Sequence, residues 1–243
     1  MDSSSLEAYE TPARVAAYDA DMNLMHPNRH KMVEVMMAAL AASTPDPQLV
    51  IDLGTGTGFL LDRLLRHFPD CRAVAIDGSH QMLAAAQSRL GTLAKRVDFV
   101  VGDFRRPEAF GLQANSADAV LSAYALHHLN LQEKAQTIGY CRAILKENGW
   151  FIDADLVVAE DEFLEVLVQR MRVSGIVDRA QGLDPRFRNA AETRHFLDEL
   201  ERNDCDQPQR LTDDLRIMQE CGYRHVALFW KDAREVVYGG IRR

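Results

Sequence analysis

An α/β fold is what this 243-residue sequence predicts: a doubly wound, seven-stranded, mostly parallel sheet that ends in an antiparallel hairpin. Three observations carry the prediction. Five short apolar runs, Leu49–Leu53, Ala73–Ile76, Val97–Val101, Ala117–Ala123 and Trp150–Asp155, alternate with segments long enough to hold a helix, the rhythm of a parallel sheet covered on both faces. The first run leads into three alternating glycines, Gly54, Gly56 and Gly58, and then into the helix Phe59–His67. Val226–Trp230 and Val236–Ile241, joined across Lys231–Arg234, are close enough in sequence to pair as a hairpin.

Taken in order, Met1 to Ala8 is polar and acidic where a signal peptide is basic and then apolar. From Ala13 to Ala42 the spacing of Val15, Tyr18, Met22 and Met25, then of Met32, Val33, Met36, Met37 and Leu40 after a fresh start at Pro27, predicts two helices. The breaker cluster Ser43–Pro47 opens the strand-and-helix region. Between Glu160 and Arg216 the strand signal vanishes, with 14 acids, 9 arginines and no lysine. Here Phe163, Leu164, Leu167, Val168 and Met171 make one helical stripe and Phe196, Leu197 and Leu200 another, which predicts a helical insertion. Thr212 is the expected cap of a last helix through Leu215, Met218 and Cys221, with Gly222 at its left-handed C′ position.

The balance of 28 Lys+Arg against 36 Asp+Glu, net −8, argues against a nucleic-acid or anionic-membrane binder, which needs clustered cations for phosphates. Cys71, Cys141, Cys205 and Cys221 are scattered and read as reduced thiols. No run approaches a membrane span, so a cytoplasmic protein is expected.

The glycine loop lets a ligand meet bare backbone at a helix N-terminus. It fits a dinucleotide fingerprint poorly, because Phe59 stands where G-x-G-x-x-G wants its third glycine. The second run ends in Asp77-Gly78-Ser79 and the third in Gly102-Asp103-Phe104, so consecutive strands deliver Asp or Gly to one edge and imply one crevice. Asp77 has a second reading, as a helix N-cap.

With these residues the sequence resembles the class I S-adenosylmethionine-dependent methyltransferases. The resemblance runs from Val50 to the C-terminus and rests on Asp52-Leu53-Gly54-Thr55-Gly56-Thr57-Gly58, Asp77 with Met82 behind it, Gly102-Asp103-Phe104, Ala117–Ser122, and the hairpin after Gly222-Tyr223. It implies a Rossmann-like core with S-adenosylmethionine as cofactor. By the same resemblance the loop from Asp52 and Gly54 through Thr55 to Gly58 lies against the methionine part, Asp77 with Gly78 takes the ribose, Met82, Asp103 and Phe104 take the adenine, and Ser122 lies near the ammonium group. Residues 1–45 become a helical lid, 46–158 the cofactor core, 159–210 a substrate cover, and 211–243 the last helix and hairpin. In the lid, Tyr18-Asp19 resembles the Tyr-Asp of ubiquinone and menaquinone methyltransferases, and Tyr18 or Arg29 is expected at the methionine carboxylate.

Catalytic candidates follow the fourth and fifth strands. His127 is placed to take a proton from an attacking hydroxyl, amine or thiol, with His128 beside it. Their plainer reading is one helix cap and one packed core residue. Asp153 and Asp155 share a strand face, Asp155 nearer the ligand-binding end, as a site residue or as a polar anchor; Asp153 reads as structural. His26 and His30 have i, i+4 ligand spacing, and His127, His128 and Asp155 could join them in a metal site, but nothing in the spacing demands one and no metal is expected. Arg170, Arg172, Arg179, Arg186 and Arg188 either meet an acidic substrate or form a solvated face. The expected function is methyl transfer to O, N or S of a small molecule. Alternatives are a carboxy-S-adenosylmethionine synthase-like enzyme, a protein methyltransferase and a non-catalytic cofactor-binding module. A homodimer is among the expected assemblies, and no nucleic-acid or membrane partner is.

Overall fold

The computed structural model describes residues 9–243, so the reading of Met1–Ala8 lies outside the described residues. Two helices, α1 (Pro12–Met25) and α2 (Arg29–Ser43), precede β1 (Leu49–Leu53), α3 (Phe59–His67), β2 (Arg72–Asp77), α4 (His80–Leu90), β3 (Val97–Val101) and β4 (Ala117–Ala123). Then come α5 (Leu131–Ile144), β5 (Leu145–Leu156), α6 (Glu162–Ala180), α7 (Ala190–Asn203), α8 (Leu211–Glu220), β6 (Tyr223–Asp232) and β7 (Glu235–Arg242). The strands form one sheet in the order β3-β2-β1-β4-β5-β7-β6. The first five are parallel, β7 is antiparallel to β5, and β6 is antiparallel to β7.

Because side chains alternate along a strand, each central strand feeds two cores. Ile152 and Ala154 of β5 pack with α2, α3 and α4, through Met36, Leu40, Leu61, Leu64 and Leu83. Phe151 faces the other way, toward Ile138 and Cys141 of α5 and Ile217 and Met218 of α8. A third, smaller core joins Met25 of α1 to Val173, Ile176, Phe187 and Leu197, so the first helix packs on the insertion.

The structure corrects two details of the sequence reading. Helix α8 starts at Leu211 with Arg210 as its N-cap, and the Thr212 hydroxyl donates to Glu160 instead of capping. The expected stripe on α6 points outward: Phe163 is 78% and Met171 57% exposed, while Val173, Ile176 and Ala180 are buried. Gly222, at φ +87, does take the left-handed position after α8.

Strand order reverses between β1 and β4, which opens a crevice at their carboxyl ends. Register brings Leu53 opposite both Ile76 and Ser122, and Ser122 opposite Asp153, so the predicted site residues share one edge of the sheet.

Candidate active site

Leaving β1, the chain turns through Gly54, Gly56 and Gly58 at φ +71, +54 and +78, a backbone that side chains disfavour. Close packing adds to this at Gly54, where a Cβ would lie 2.3 Å from the Ala125 Cβ. The Gly54 and Thr55 amides donate to the Ile76 carbonyl at 2.8 and 3.0 Å, which ties the loop to β2. Asp77 accepts from the Gly56 amide (2.8 Å) and the Ser79 amide (2.9 Å). It is therefore not the helix cap, since Ser79 caps α4 by accepting from the Met82 amide. Burial pushes the Asp77 carboxyl up against the pull of these two amides.

A cleft of about 520 Å³ opens here, lined by Tyr9, Tyr18, Gly54, Gly56, Asp77, Gly78, Met82, Phe104, Tyr124 and Ala125 among others. Its chemistry suits an adenosyl ligand: a carboxylate for hydroxyls, an apolar slot from Met82 and Phe104, and exposed glycine backbone. Asp52 supports the same fit. It is buried beneath the loop with Oδ1 lacking any hydrogen-bond partner, while Oδ2 accepts from the Thr55 hydroxyl at 2.9 Å. Burial raises its pKa to about 7. An unpaired buried acceptor of this kind is costly unless a ligand donor meets it.

The N-terminal helices close over the loop. Asp19 accepts from Arg29 (2.7 Å) and from the Thr57 hydroxyl (3.0 Å), and also pairs with Arg89. Arg29 is buried with its guanidinium 4.0 Å from the Phe59 ring centroid, and it lines a recess with Tyr18, Asp52, Thr55 and Gly56.

A second pocket, about 590 Å³, adjoins the cleft and shares Tyr9, Tyr18, Tyr124, His128 and Asp204 with it. His127, Arg14, Asp21, His26, Arg172, Glu201 and Asp206 complete its polar walls. His127 Nδ1 lies 2.5 Å from Asp155 Oδ1, and its own amide donates to Asp155 Oδ2 at 2.8 Å. The imidazole is thereby fixed with Nε2 toward Asp206 Oδ1, 3.6 Å away. Burial works against the imidazolium, but Asp155 and Asp206 outweigh it and raise the His127 pKa to about 9.

These contacts revise several expected roles. Asp155 is fully buried, and its oxygens are taken by His127 and the Leu156 amide, so it can act on a ligand only through His127. Asp153 accepts from the Tyr238 hydroxyl at 2.8 Å and is structural, as expected. Ser122 donates to the Leu53 carbonyl at 3.1 Å and is fully buried, outside the walls of both pockets. Asp103 is held by Arg105 through contacts of 2.8 and 2.6 Å, and the neighbouring Phe104 is what reaches the cleft. Gly58 packs against Ala86 rather than the cleft. Neither His127 nor His128 caps α5, because Asn130 does so in a capping box with Glu133. His26 is buried 3.4 Å from Glu235, whereas His30 is exposed edge-on to Phe59, so the pair does not converge on one ligand. Of the arginines, Arg172 pairs with Glu201, Arg186 with Asp21 and Asp184, and Arg179 donates to the Leu24 carbonyl. Arg186 and Arg179 brace the insertion against α1, while Arg172 ties α6 to α7 within it and alone of the three lines the second pocket.

Sequence reasoning missed Tyr124, Asp204 and Asp206. Tyr124 had a signal, its place just after β4, and it takes a left-handed φ of +53 with its hydroxyl donating to Glu235 at 2.7 Å. Asp204, which accepts from Tyr9 (2.9 Å) and Arg14 (2.7 Å), had none within the acid-rich insertion.

Residues 50–149 match the family described as methyltransferase domain. Over 186 residues the chain is 25% identical to the malonyl-[acyl-carrier protein] O-methyltransferase of Halalkalibacterium halodurans, a match covering 75% of this chain and 66% of that protein. Over 151 residues it is 27% identical to the demethylmenaquinone methyltransferase of Thermotoga maritima, covering 62% and 58%. The match thus spans less than two thirds of either relative. Human N-acetylserotonin methyltransferase, solved with S-adenosylmethionine, superposes with a TM-score of 0.61 at 16% identity, over 100% of this chain and 60% of that one, a likeness of fold.

Proposed function

We propose, from the premise that this chain is built on a class I S-adenosylmethionine-dependent methyltransferase domain, that it transfers the methyl group to O, N or S of an enclosed small molecule. The observation that carries this reading is the wall shared by the two pockets: Tyr9, Tyr18, Tyr124, His128 and Asp204 border both, so an acceptor in the second pocket stands beside the cofactor cleft. When bound, the cofactor supplies a methyl group already activated on a sulfonium. The protein's task is then chiefly orientation and exclusion of water, which can contribute many kcal/mol.

In this reading Asp77 and Gly78 hold the ribose, Met82 and Phe104 flank the adenine, and Asp52, Thr55, Gly54 and Gly56 hold the methionine end with Tyr18 and Arg29. His127, oriented by Asp155, faces the acceptor. The lid residues Tyr9 and Arg14, tied to Asp204 of the insertion, shut the site from solvent. The two relatives named above act on an acyl-carrier-bound malonyl group and on demethylmenaquinone, by their names; the lid-covered pocket favours a small molecule here.

The test is conversion of S-adenosylmethionine to S-adenosylhomocysteine against a panel of thiols, phenols, amines and carboxylic acids, with His127→Ala alongside. Turnover on one class that the variant loses is the expected result. Failure to bind S-adenosylmethionine at millimolar concentration would overturn the reading, and a heavier, carboxylated cofactor in the mass spectrum of purified protein would redirect it to the synthase-like alternative.

A further inference from the structure

We infer that His127, His128 and Asp206 form a divalent-cation site in the wall of the second pocket, taking a first-row ion of imidazole-binding type and an oxygen donor of the acceptor beside it. One ligand atom from each residue lies within 4.8 Å of the others, the one such set among the described residues. Asp206 Oδ1 is 3.6 Å from His127 Nε2 and 3.0 Å from His128 Nδ1. Ligands bonded tetrahedrally at about 2.0–2.2 Å stand roughly 3.4 Å apart, so both separations suit a common ion.

Three further observations support a built site. His128 Nδ1 and Asp206 Oδ1 are buried without a hydrogen bond of good geometry, and the contacts of this carboxylate oxygen are ionic ones to the two imidazoles. Asp155 holds His127 Nδ1, which commits the opposite nitrogen to the pocket, the carboxylate–imidazole arrangement that orients metal-binding histidines. Finally, the loop carrying Asp206 is strapped to the histidine turn: the Gln207 amide donates to the His127 carbonyl at 2.7 Å, and Gln209 Nε2 to the Leu129 carbonyl at 3.0 Å. Three protein ligands leave an open position, as catalytic sites require.

Of the carboxylates that line the pocket, Asp21, Glu201 and Asp204 are paired with Arg186, Arg172 and Arg14, which leaves Asp206 as the one that faces the imidazoles. His128 also borders the cofactor cleft, so an oxygen held on the ion would stand at the junction of the two pockets. The ion's role rests on the methyltransferase reading, whereas its binding does not.

The experiment is titration of chelator-stripped full-length protein with Co²⁺, read by visible absorption. One ion per chain is expected, with d–d bands and without the near-ultraviolet thiolate band that the four cysteines would give. His128→Ala and Asp206→Asn should each weaken binding at least tenfold, and Asp155→Asn by about 10–100-fold. Circular dichroism checks each fold, and if one variant does not fold the others decide. No uptake at millimolar Co²⁺, a thiolate band, or uptake unchanged in the folded variants would overturn the inference. Co²⁺ uptake as expected in a protein that fails to bind S-adenosylmethionine would leave the ion site standing and sink the methyltransferase reading instead.

Discussion

The cleft and the pocket proposed for cofactor and acceptor share a wall but are built by different means. The cleft is made by strand ends and the turns that leave them: Gly54, Gly56, Asp77 and Gly78 sit where neighbouring parallel strands stop, and backbone amides satisfy the carboxylate between them. The acceptor pocket is made by side chains that meet from far apart in sequence, Tyr9 and Arg14 with Asp204, Arg186 with Asp21, and His127 with Asp155. A sheet fixes the first; pairing across separable helices fixes the second. The strand-end floor of the cleft should therefore stay with the fold, while the lid side, which borders both pockets, should open without unfolding it.

The largest expected effect breaks the rigid side. Gly54→Ala adds a Cβ at φ +71 that meets Ala125, and should cost about 3 kcal/mol or more of stability and at least a hundredfold in S-adenosylmethionine affinity, measured by calorimetry. A variant with native affinity would show that the loop yields as readily as the lid.

On the separable side, Arg14→Ala leaves the buried Asp204 without its cation and should destabilise lid closure by about 1–3 kcal/mol. Amide exchange in α1 should quicken 10–100-fold while cofactor affinity changes less than tenfold. Uniform faster exchange across the sheet would mean that lid and core are one cooperative unit.

Asp52→Asn sharpens the comparison because it separates stability from binding at one residue. The folded pKa of about 7 lies above the unfolded carboxylate value, so the contribution of Asp52 to stability is full below about pH 4 and is lost as pH rises through 7. The variant lacks that loss. At pH 8 the ligand-free protein should gain roughly 1–3 kcal/mol by denaturant titration, while S-adenosylmethionine affinity falls. Equal stability of the two proteins at pH 5 and pH 8 would remove the argument that Asp52 waits for a ligand donor.

Smallest is Arg186→Ala, which cuts a partly exposed tie between the insertion and α1 and should cost about 0.5–1 kcal/mol. Its exchange signature should be confined to α1, α6 and α7.

Sequence legibility divides along the same line. The bounds of β1, β3, β4 and α3 were readable to the residue, because apolar alternation, turn glycines and helix periodicity are local. The C-terminal hairpin was readable in outline, with each strand extending further than its apolar run. Arg172, read either as a contact to an acidic substrate or as part of a solvated face, lines the second pocket, and Lys134 of α5 is fully buried 2.8 Å from Asp214. Nothing in a linear pattern marks either, since each depends on a carboxylate some 29 or 80 positions away. Conversely, the stripe from Phe163 to Met171 has core periodicity and faces outward, because α6 buries its opposite side on α1 and α7.

By itself the sequence determined the doubly wound sheet, the glycine turn and the acids at the strand ends, since backbone conformation and burial pattern are set within a few residues. Only the tertiary structure decided which ionisable groups meet: that Asp155 serves His127, that Ser122 turns away from the pockets, and that Asp206 comes to stand against two imidazoles. Those meetings depend on how helices settle on the sheet across scores of residues, and packing geometry, not local propensity, sets them.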